Sequence, residues 1–457
     1  MRDPVDQETL HRTAKYFMDS GRAASHEEAM VMLERFGLAI CVGAEIAVSA
    51  HHQAALMTLV NAARRTFLGG IEIVGLPDCA SLTRLAPGRS LAQAVTELGG
   101  KPVAHARDTW PLAVIGNAAP ARSIAPAWRL TWEGWRGGAV PLRTGQRLDE
   151  TDAIALAPAL AAAACAAEAF SYHAGDHPMA GRRAAGLSLW RPGQDWLAAD
   201  PAEPALAYLP SRLWLIGLGN LGQAFAWLLA LLPYHDTAEV QLMLQDFDRI
   251  APSNDSTSLL SFLVDVGRRK SRVVGDWLEA RGFEIFLEER RFGPWTQRHD
   301  DEPGAALCGV DNALARCALE DVGFDLIVEA GLGAGPQAFR SVSMHTFPAS
   351  RCASTIWSRQ AALAPESYEN LPAYRALKEA GMDPCGLAQL ASRTVGVPFV
   401  GLIAGCLAIS ELLRRLNAGM ALEFASGSTA ALVDFESGTL DAPPYTSGHV
   451  AAEVHTL

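Results

Sequence analysis

A stretch in the middle of the chain has the spacing of a phosphate-binding loop. It follows an apolar strand pattern, Leu213–Ile216, and has glycine at its first, third and sixth positions. Such glycines let backbone N–H groups approach phosphate oxygens at the positive end of the following helix. NAD, FAD and ATP sites all use such a loop, and a tight turn is the plain alternative. We predict a nucleotide-binding strand–loop–helix–strand over Leu213–Asp248, in which the nucleotide would contact Gly217, Gly219, Asn220 and Gly222.

Charged and polar residues follow this loop in greater number than a dinucleotide site needs. Asp246 ends the next strand, where a carboxylate accepts hydrogen bonds from ribose hydroxyls, and Asp248 lies two residues further on. A dehydrogenase requires one such carboxylate. The chain adds Asn254, Lys270 and Asp311 in order. Taken singly, Lys270 could be a solvated helix residue and Asp311 a cap; taken together, the set favours phosphate chemistry.

The ordered set of motifs resembles the superfamily of ThiF, MoeB and the ubiquitin-activating enzymes. These enzymes adenylate the C-terminal carboxylate of a small ubiquitin-like protein. The resemblance covers about residues 211–435 and includes the glycine loop, Asp-x-Asp, Ser-Asn, Asp-Val-Gly-x-x-Lys and Asp-Asn. It implies that Asp246, with Asp248 beside it, holds the ribose, that Asn254 and Lys270 face the triphosphate, and that Asp311 binds Mg²⁺.

The chemistry of adenylation agrees with these roles. Charge develops on the α-phosphate while pyrophosphate leaves, and a lysine together with a carboxylate-held Mg²⁺ offsets that charge. ATP and Mg²⁺ are therefore the expected cofactors. One position departs from the family, because relatives usually carry arginine three residues after the Ser-Asn asparagine and this chain has Thr257. Either another cation replaces it, from Arg268, Arg269 or the first half, or the domain adenylates poorly.

Eight cysteines are spread along the chain without a Cys-x-x-Cys pair, so neither a zinc site nor a redox dithiol is indicated. An activating enzyme that serves conjugation needs a thiol to accept the acyl group as a thioester. Cys385 is the leading candidate because it comes just before a predicted helix start, where the helix dipole favours thiolate. The stretch from Cys385 to Gly401 also resembles the catalytic-thiol region of autophagy-type activating enzymes.

Cys352 is the second candidate, because it lies in the stretch where many relatives cross over the adenylate. An inert thiol is the alternative for both. The cysteines in apolar segments are predicted to be core residues: Cys41, Cys165, Cys317 and Cys406.

The elements that position these residues alternate between strands and helices. In the second half the predicted strands are Leu213–Ile216, Val240–Gln245, Phe283–Leu287, Phe324–Glu329 and Thr429–Phe435. The predicted helices are Leu221–Leu232, Val264–Arg281 and Val400–Leu416, with a glycine-rich turn at Gly331–Gly335. This alternation predicts a parallel sheet with helices on both faces.

The first half repeats this order of strands and helices but has fewer residues that suit a nucleotide site. Its predicted strands are Leu38–Gly43, Ile71–Gly75 and Leu112–Gly116, and its predicted helices are His11–Met18, Glu27–Phe36 with Ser25 as its cap, and Ile154–Tyr172. It lacks a full glycine loop and an Asp-x-Asp.

We therefore predict an α/β fold of two doubly wound, Rossmann-like adenylation-type domains. Residues 1–205 form a degenerate domain that binds no nucleotide, and residues 206–457 form the active one, with Gly193–Pro210 as linker. Accidental similarity of two α/β domains is the alternative.

Composition excludes several classes of partner. The net charge of −12 and the scattered basic residues argue against nucleic acid. No uncharged apolar stretch has the flanks of a membrane span, and Ile154–Phe170 is mostly alanine, as in a buried helix. The polar, acidic stretch Met1–Asp6 lacks a signal-peptide core, so a cytoplasmic protein is expected.

The leading functional hypothesis is an ATP-dependent activating enzyme for a ubiquitin-like protein that ends in glycine. Adenylation would be followed by a thioester on Cys385 and by transfer to a carrier resembling a conjugating enzyme, as in bacterial ubiquitin-like conjugation operons. The first domain would complete the active site across a pseudo-two-fold interface, within one chain rather than in a homodimer, although a homodimer stays open. The alternatives are a nicotinamide-dependent oxidoreductase and a non-catalytic scaffold, for which Thr257 is the main argument.

Overall fold

The computed structural model describes residues 6–119, 123–151, 153–361 and 370–453. Most of Met1–Asp6, on which the expected cellular location rests, lies outside these ranges. The strands are β1 Gly37–Val42, β2 Gly70–Val74, β3 Lys101–Pro102, β4 Leu112–Ile115, β5 Ala127–Glu133, β6 Arg136–Pro141, β7 Ala185–Ser188, β8 Tyr208–Pro210, β9 Arg212–Ile216, β10 Gln241–Gln245, β11 Glu284–Glu288, β12 Ala305–Cys308, β13 Leu326–Leu332, β14 Ser341–Phe347, β15 Ala421–Ser428, β16 Ala431–Leu440 and β17 His449–Ala451.

The helices connect these strands and cover the sheets. They are α1 Lys15–Asp19, α2 His26–Leu33, α3 Ala50–Ala63, α4 Leu91–Glu97, α5 Leu156–Ala174, α6 Asn220–Leu229, α7 Lys270–Glu279, α8 Ala313–Cys317, α9 Gly335–Ala338, α10 Ala353–Ala361, α11 Pro372–Glu379, α12 Pro384–Ser392 and α13 Pro398–Leu416. Within the described ranges, none is long and apolar enough to cross a bilayer.

The two large sheets share one topology. The first has the order β3-β2-β1-β4-β5-β6-β7 and the second the order β11-β10-β9-β12-β13-β14-β15-β16. In both, the first five strands are parallel and the following strands are antiparallel. Seven positions therefore match in order and direction. The fold is α/β with two doubly wound units, and the shared order favours a common plan over accidental similarity.

The two units pack through the helices α3, α5, α6 and α13, which lie in one continuous core. Alanine supplies most of the buried face of α5, so α3 and α13 can approach it closely. Polar contacts also cross the junction: the Trp227 indole donates to the Thr58 hydroxyl at 3.0 Å. A buried indole needs such a partner, because an unmade hydrogen bond there costs about 1–3 kcal/mol.

Several predicted elements are confirmed in type and differ at their ends. The strands β9, β10 and β11 and the helices α6 and α13 lie where the apolar patterns placed them. The Ser25 hydroxyl caps α2 by accepting from the Glu28 N–H at 3.2 Å, as predicted. The helix predicted at His11–Met18 is only the short α1, which begins at Lys15, and α2 ends at Leu33 rather than at Phe36.

The predicted helix Val264–Arg281 is wrong at its start. Leu263–Asp265 is a short 3-10 turn, Gly267 has a φ of 88°, and Arg269 bridges to Arg249 in an extended conformation. Only after this left-handed residue does α7 begin, at Lys270. The apolar residues of the turn are accordingly exposed.

Two other predictions need correction. The strand predicted at Thr429–Phe435 is part of a hairpin in which β15 ends at Ser428 and β16 starts at Ala431, so Thr429 lies in the turn. The linker predicted at Gly193–Pro210 ends in β8, which pairs with β17. Its Glu203 carboxylate accepts from the Trp135 N–H at 3.1 Å, so this stretch packs on the first unit.

Candidate nucleotide-binding site

The glycine loop joins β9 to α6 at the carboxyl edge of the second sheet. A Cβ atom on Gly222 would lie 1.9 Å from the Gly217 carbonyl oxygen, so only glycine lets α6 begin this close to the strand. Gly217 has a φ of 82°, which favours glycine. At Gly219, by contrast, a Cβ would meet no atom within 4 Å. That space lies beside the first N–H groups of α6, where a phosphate group would fit.

Asp246 is buried at the end of β10 and binds the loop directly. One carboxylate oxygen accepts from the Leu218 N–H at 2.6 Å and the other from the Asp248 N–H at 2.8 Å. Burial raises the pKa of Asp246, while Lys270 and the two N–H groups oppose the rise. Each carboxylate oxygen retains further acceptor capacity for a ribose hydroxyl.

Lys270 is the first residue of α7 and points at the same carboxylates. Its Nζ lies 2.9 Å from an Asp248 oxygen. Burial lowers the pKa of Lys270, but the charges of Asp246, Asp248 and Asp311 outweigh burial, so that the pKa is raised and the ammonium is maintained. The structure thus brings Lys270 and three of the predicted acidic residues into one electrostatic cluster.

Asp311 lies in the loop between β12 and α8 and is exposed. It has no ion-pair partner among the residues that the structure describes. Mg²⁺ in phosphate-transfer sites is typically held by one or two carboxylates together with phosphate oxygens and water. No group of three or more potential ligands occurs in the described ranges. A single hard oxygen donor near Lys270 therefore fits Mg²⁺ that arrives with a nucleotide.

Two predicted contact residues have their side chains engaged elsewhere. The Asn254 side-chain oxygen accepts from the Ala251 N–H at 2.8 Å, which closes its own turn. The Asn220 side chain donates to the Val397 carbonyl at 3.2 Å, just before α13. In this structure both side chains shape the backbone around the site, a role that their spacing in the sequence did not indicate.

The position of the missing family arginine is covered by the first half of the chain. A segment that we call the N-terminal arm, residues 6–22, crosses to the second unit, and the Arg12 N–H donates to the Ser256 hydroxyl at 3.0 Å. A Cβ on Gly396 would touch both Thr257, at 2.3 Å, and Arg12, at 3.2 Å. Arg12 and Thr257 therefore meet at the same glycine.

The Arg12 guanidinium binds the backbone that joins α12 to α13. Its Nε donates to the Thr394 carbonyl at 3.1 Å. Burial and, to a smaller extent, Arg393 lower the pKa of Arg12 to about 10, while Asp311 and other nearby carboxylates oppose the shift. The guanidinium is thus charged at neutral pH and lies within electrostatic reach of Asp311. Nothing in the sequence singled out Arg12, because its distance along the chain from Thr257 hides their contact.

The substitutes considered from the sequence, Arg268 and Arg269, bind other partners. Arg268 pairs with Asp265 at 2.8 Å and with Asp276 at 2.5 Å. Arg269 donates to the Phe247 carbonyl. Both line a cavity of about 500 Å³ to which no glycine-loop residue contributes. Arg12, by contrast, packs beside Thr257 at Gly396.

Two more arginines of the first unit hold the loop that carries Thr257. Arg64 pairs with Asp255 at 2.5 Å. Arg65 is fully buried and donates to the Ser261 carbonyl at 2.9 Å and to the Leu259 carbonyl at 2.8 Å. The loop over residues 255–261 is thus held both by these arginines and by Gln223 of its own unit, which accepts from the Leu260 N–H at 2.7 Å.

Two cysteines are exposed, Cys352 and Cys385. Cys385 is the second residue of α12, and its N–H donates to the Asp383 carboxylate at 2.8 Å. Cys352 lies just before α10, and the hydroxyls of Ser354 and Thr355, at 3.2 Å and 2.9 Å from its sulfur, lower its pKa. The predicted core positions are confirmed for Cys41, Cys165 and Cys406, whereas Cys317 is half-buried.

The helix that carries Cys385 is held by the N-terminal arm. The Gln7 side chain donates to Gln389 at 2.8 Å, and Glu8 pairs with Arg393. The arm therefore contacts both α12 and, through Arg12, the surroundings of Asp311.

The chain has two related α/β units with a glycine loop in the second, and its relatives show that it is an E1-like protein. Family models described as "BilD N-terminal domain" and "BilD C-terminal domain" match residues 37–189 and 209–419. The bacterial E1-like protein BilD of Collimonas sp. (strain OK412) is 67% identical over 448 residues, which cover 98% of this chain and 97% of that protein. The chain belongs to the BilD family of bacterial E1-like proteins.

Solved structures with similar chains include E. coli MccB. It has a TM-score of 0.33 and 13% identity, over 52% of this chain and 64% of that one. A structure described as E. coli MccB with ATP has a TM-score of 0.31 and 12% identity, over 52% and 66% of the two chains.

Proposed function

We propose that this protein uses ATP to activate the C-terminus of a ubiquitin-like protein, as a member of the ThiF-type superfamily. The observation that carries the proposal is the cluster of Lys270, Asp248, Asp246 and Asp311 beside the open space at Gly219. A terminal glycine carboxylate would attack the α-phosphorus of ATP. The bond to the β-phosphate would break, which yields an acyl-adenylate and pyrophosphate.

Each residue of the cluster would have a role that follows from its charge. Lys270 would hold negative phosphate oxygens, and Asp246 would accept the ribose hydroxyls. Asp311 would hold Mg²⁺, which neutralises phosphate charge when it is bound. Arg12 would supply the cation that the family places at Thr257. The first unit, residues 1–205, would then act as a degenerate domain that completes the active site of residues 206–457.

A thiol would take over the acyl group. The Cys385 thiolate would attack the acyl carbon and AMP would leave, after which a carrier resembling a conjugating enzyme would accept the thioester. Cys385 and Arg393 lie at opposite ends of α12, about 12 Å apart at 1.5 Å per residue. The arm contacts α12 at both ends, because Gln7 also lies beside Gly386, the residue after Cys385.

The test of the proposal is ATP–pyrophosphate exchange by the purified protein with its matched ubiquitin-like partner. Exchange that needs the partner is expected. ATP binding without any exchange would favour the scaffold hypothesis. Binding of NAD in place of ATP would overturn the proposal in favour of an oxidoreductase.

Arg12→Ala is expected to lower exchange by on the order of 10²-fold, because a preorganised cation near the phosphates is lost. Arg12→Lys should retain part of the activity. Arginine placed at Thr257 in the Arg12→Ala protein should restore some exchange, since it returns the charge to the family position. Exchange rates and melting temperatures of all variants are the measurements.

Arg22→Ala is the matched control for Arg12. Arg22 belongs to the same arm and also donates to a backbone carbonyl, that of Ala174 at 2.7 Å, but it lies at the other end of the arm. It should cost stability only. If Arg22→Ala and Arg12→Ala lower exchange equally, Arg12 acts through the arm rather than on the phosphates.

A further inference from the structure

A chain of buried charges lies beneath the Asp311 loop. Arg316 of α8 pairs through Nη1 with Glu329 of β13 at 3.1 Å, and the other Glu329 oxygen lies 3.0 Å from Nδ1 of His345 on β14. The Glu329 side chain is fully buried, and that of Arg316 is 8% exposed. Side chains from three elements, α8, β13 and β14, therefore meet at one carboxylate.

The chain of charges reaches the loop through one hydrogen bond. Arg316 Nε donates to the Val310 carbonyl at 2.8 Å, directly before Asp311. The guanidinium also packs on the Trp357 ring, with its Cζ 4.3 Å from the ring centroid. A Cβ on Gly331 would lie 2.9 Å from Arg316 Nη1. Gly331 is predicted to begin a glycine-rich turn, but it lies in β13, which continues to Leu332. Because it has no side chain, it leaves space for the Arg316 guanidinium.

Stability alone does not account for such a group. Taking two charges out of water costs several kcal/mol per ion, and apolar replacements of buried pairs are often neutral or stabilising. What these contacts do offer is orientation, since the ion pair with Glu329, the Trp357 ring and the Val310 carbonyl together hold the Arg316 guanidinium.

We propose that Glu329 is a positioning residue for Asp311. Through Arg316 it holds the Val310 carbonyl, and so the backbone from which the Asp311 carboxylate projects toward the phosphates. His345 fixes the second oxygen of Glu329. The consequence for metal affinity rests on the proposed function, whereas the positioning of the loop does not.

A second buried glutamate provides a matched control. Glu411 pairs with Arg414, and both side chains are buried within α13. The Glu411 carboxylate also accepts from the Leu422 N–H of β15 at 3.1 Å. Glu329→Gln and Glu411→Gln remove the same charge from similar surroundings. Only Glu329 is linked to the Asp311 loop, through Arg316.

Amide hydrogen exchange tests the positioning directly. In Glu329→Gln, the amides over residues 310–313 should exchange faster than in the parent protein, while in Glu411→Gln they should not. Unchanged exchange in Glu329→Gln, or equal acceleration in Glu411→Gln, would overturn the proposal. If Glu329→Gln does not fold, Gly331→Ala replaces it, because the nearest atoms to its methyl group are the Ser343 hydroxyl and the tip of Arg316.

Nucleotide binding tests the consequence. The gain in affinity for a non-hydrolysable ATP analogue on adding Mg²⁺ should fall about 10–100-fold in Glu329→Gln, as for other groups that orient a metal ligand. It should be unchanged in Glu411→Gln. If Mg²⁺ gives the parent protein no gain in affinity for the ATP analogue, the proposed function is contradicted. Amide hydrogen exchange would then decide on its own whether Glu329 positions the Asp311 loop. An intact gain in a Glu329→Gln protein with a loosened loop would refute the link to Asp311.

Discussion

Replacement of Asp311 by alanine is expected to reduce ATP–pyrophosphate exchange by on the order of 10²–10³-fold, the size of effect seen when one group that stabilises transition-state charge is removed. Asp311 is exposed and lacks an ion-pair partner among the residues described, so its removal should leave the melting temperature nearly unchanged. The measurements are exchange rates over a range of Mg²⁺ concentrations and a thermal melt.

Asp325→Ala is the control for Asp311→Ala. Asp325 is exposed and comes just before β13, while Asp311 follows β12, and these two strands are parallel. The two aspartates therefore lie at opposite ends of these parallel strands, Asp311 at the carboxyl end and Asp325 at the amino end. Undiminished exchange in Asp311→Ala would remove Asp311 from the mechanism, and an equal loss in Asp325→Ala would show that the assay reports general damage.

Replacement of Cys385 by alanine is expected to abolish the thioester with the ubiquitin-like partner and to leave pyrophosphate exchange intact. The two steps separate because adenylation requires the phosphate-binding cluster, whereas capture requires a nucleophile. In Cys385→Ser, capture should give an ester that resists thiol reagents. The measurement is a gel of the ATP-dependent adduct with and without reductant.

Cys352→Ala is the competing variant, because the hydroxyls beside it lower the pKa of Cys352 and both sulfurs are exposed. We expect its adduct to survive. An adduct that persists in Cys385→Ala and disappears in Cys352→Ala would reverse the ranking. Loss of exchange in Cys385→Ala would instead point to damage at α12 that spreads through the N-terminal arm.

The sequence predicted best where the signal is local. Gly217 and Gly222 serve a turn that only glycine can make, and the strands around them are short apolar runs. Both properties depend on neighbouring residues. The same reasoning missed the start of α7, because Leu263–Val266 has helical apolar spacing while Gly267 forces a left-handed turn. The first unit was incompletely predicted, since its β5–β6 hairpin is fully part of the sheet yet reads only as a stretch rich in arginine and tryptophan.

The sequence by itself determined the glycine loop, the doubly wound α/β plan and the order of Asp246, Lys270 and Asp311. Only the tertiary structure decided what meets these residues. Arg12 reaches Thr257 from hundreds of residues away, and Glu329 holds Arg316 beneath the loop. The physical reason is that turns and strands follow from local sterics and periodicity, whereas a charge near a phosphate site depends on which distant segments share a buried contact.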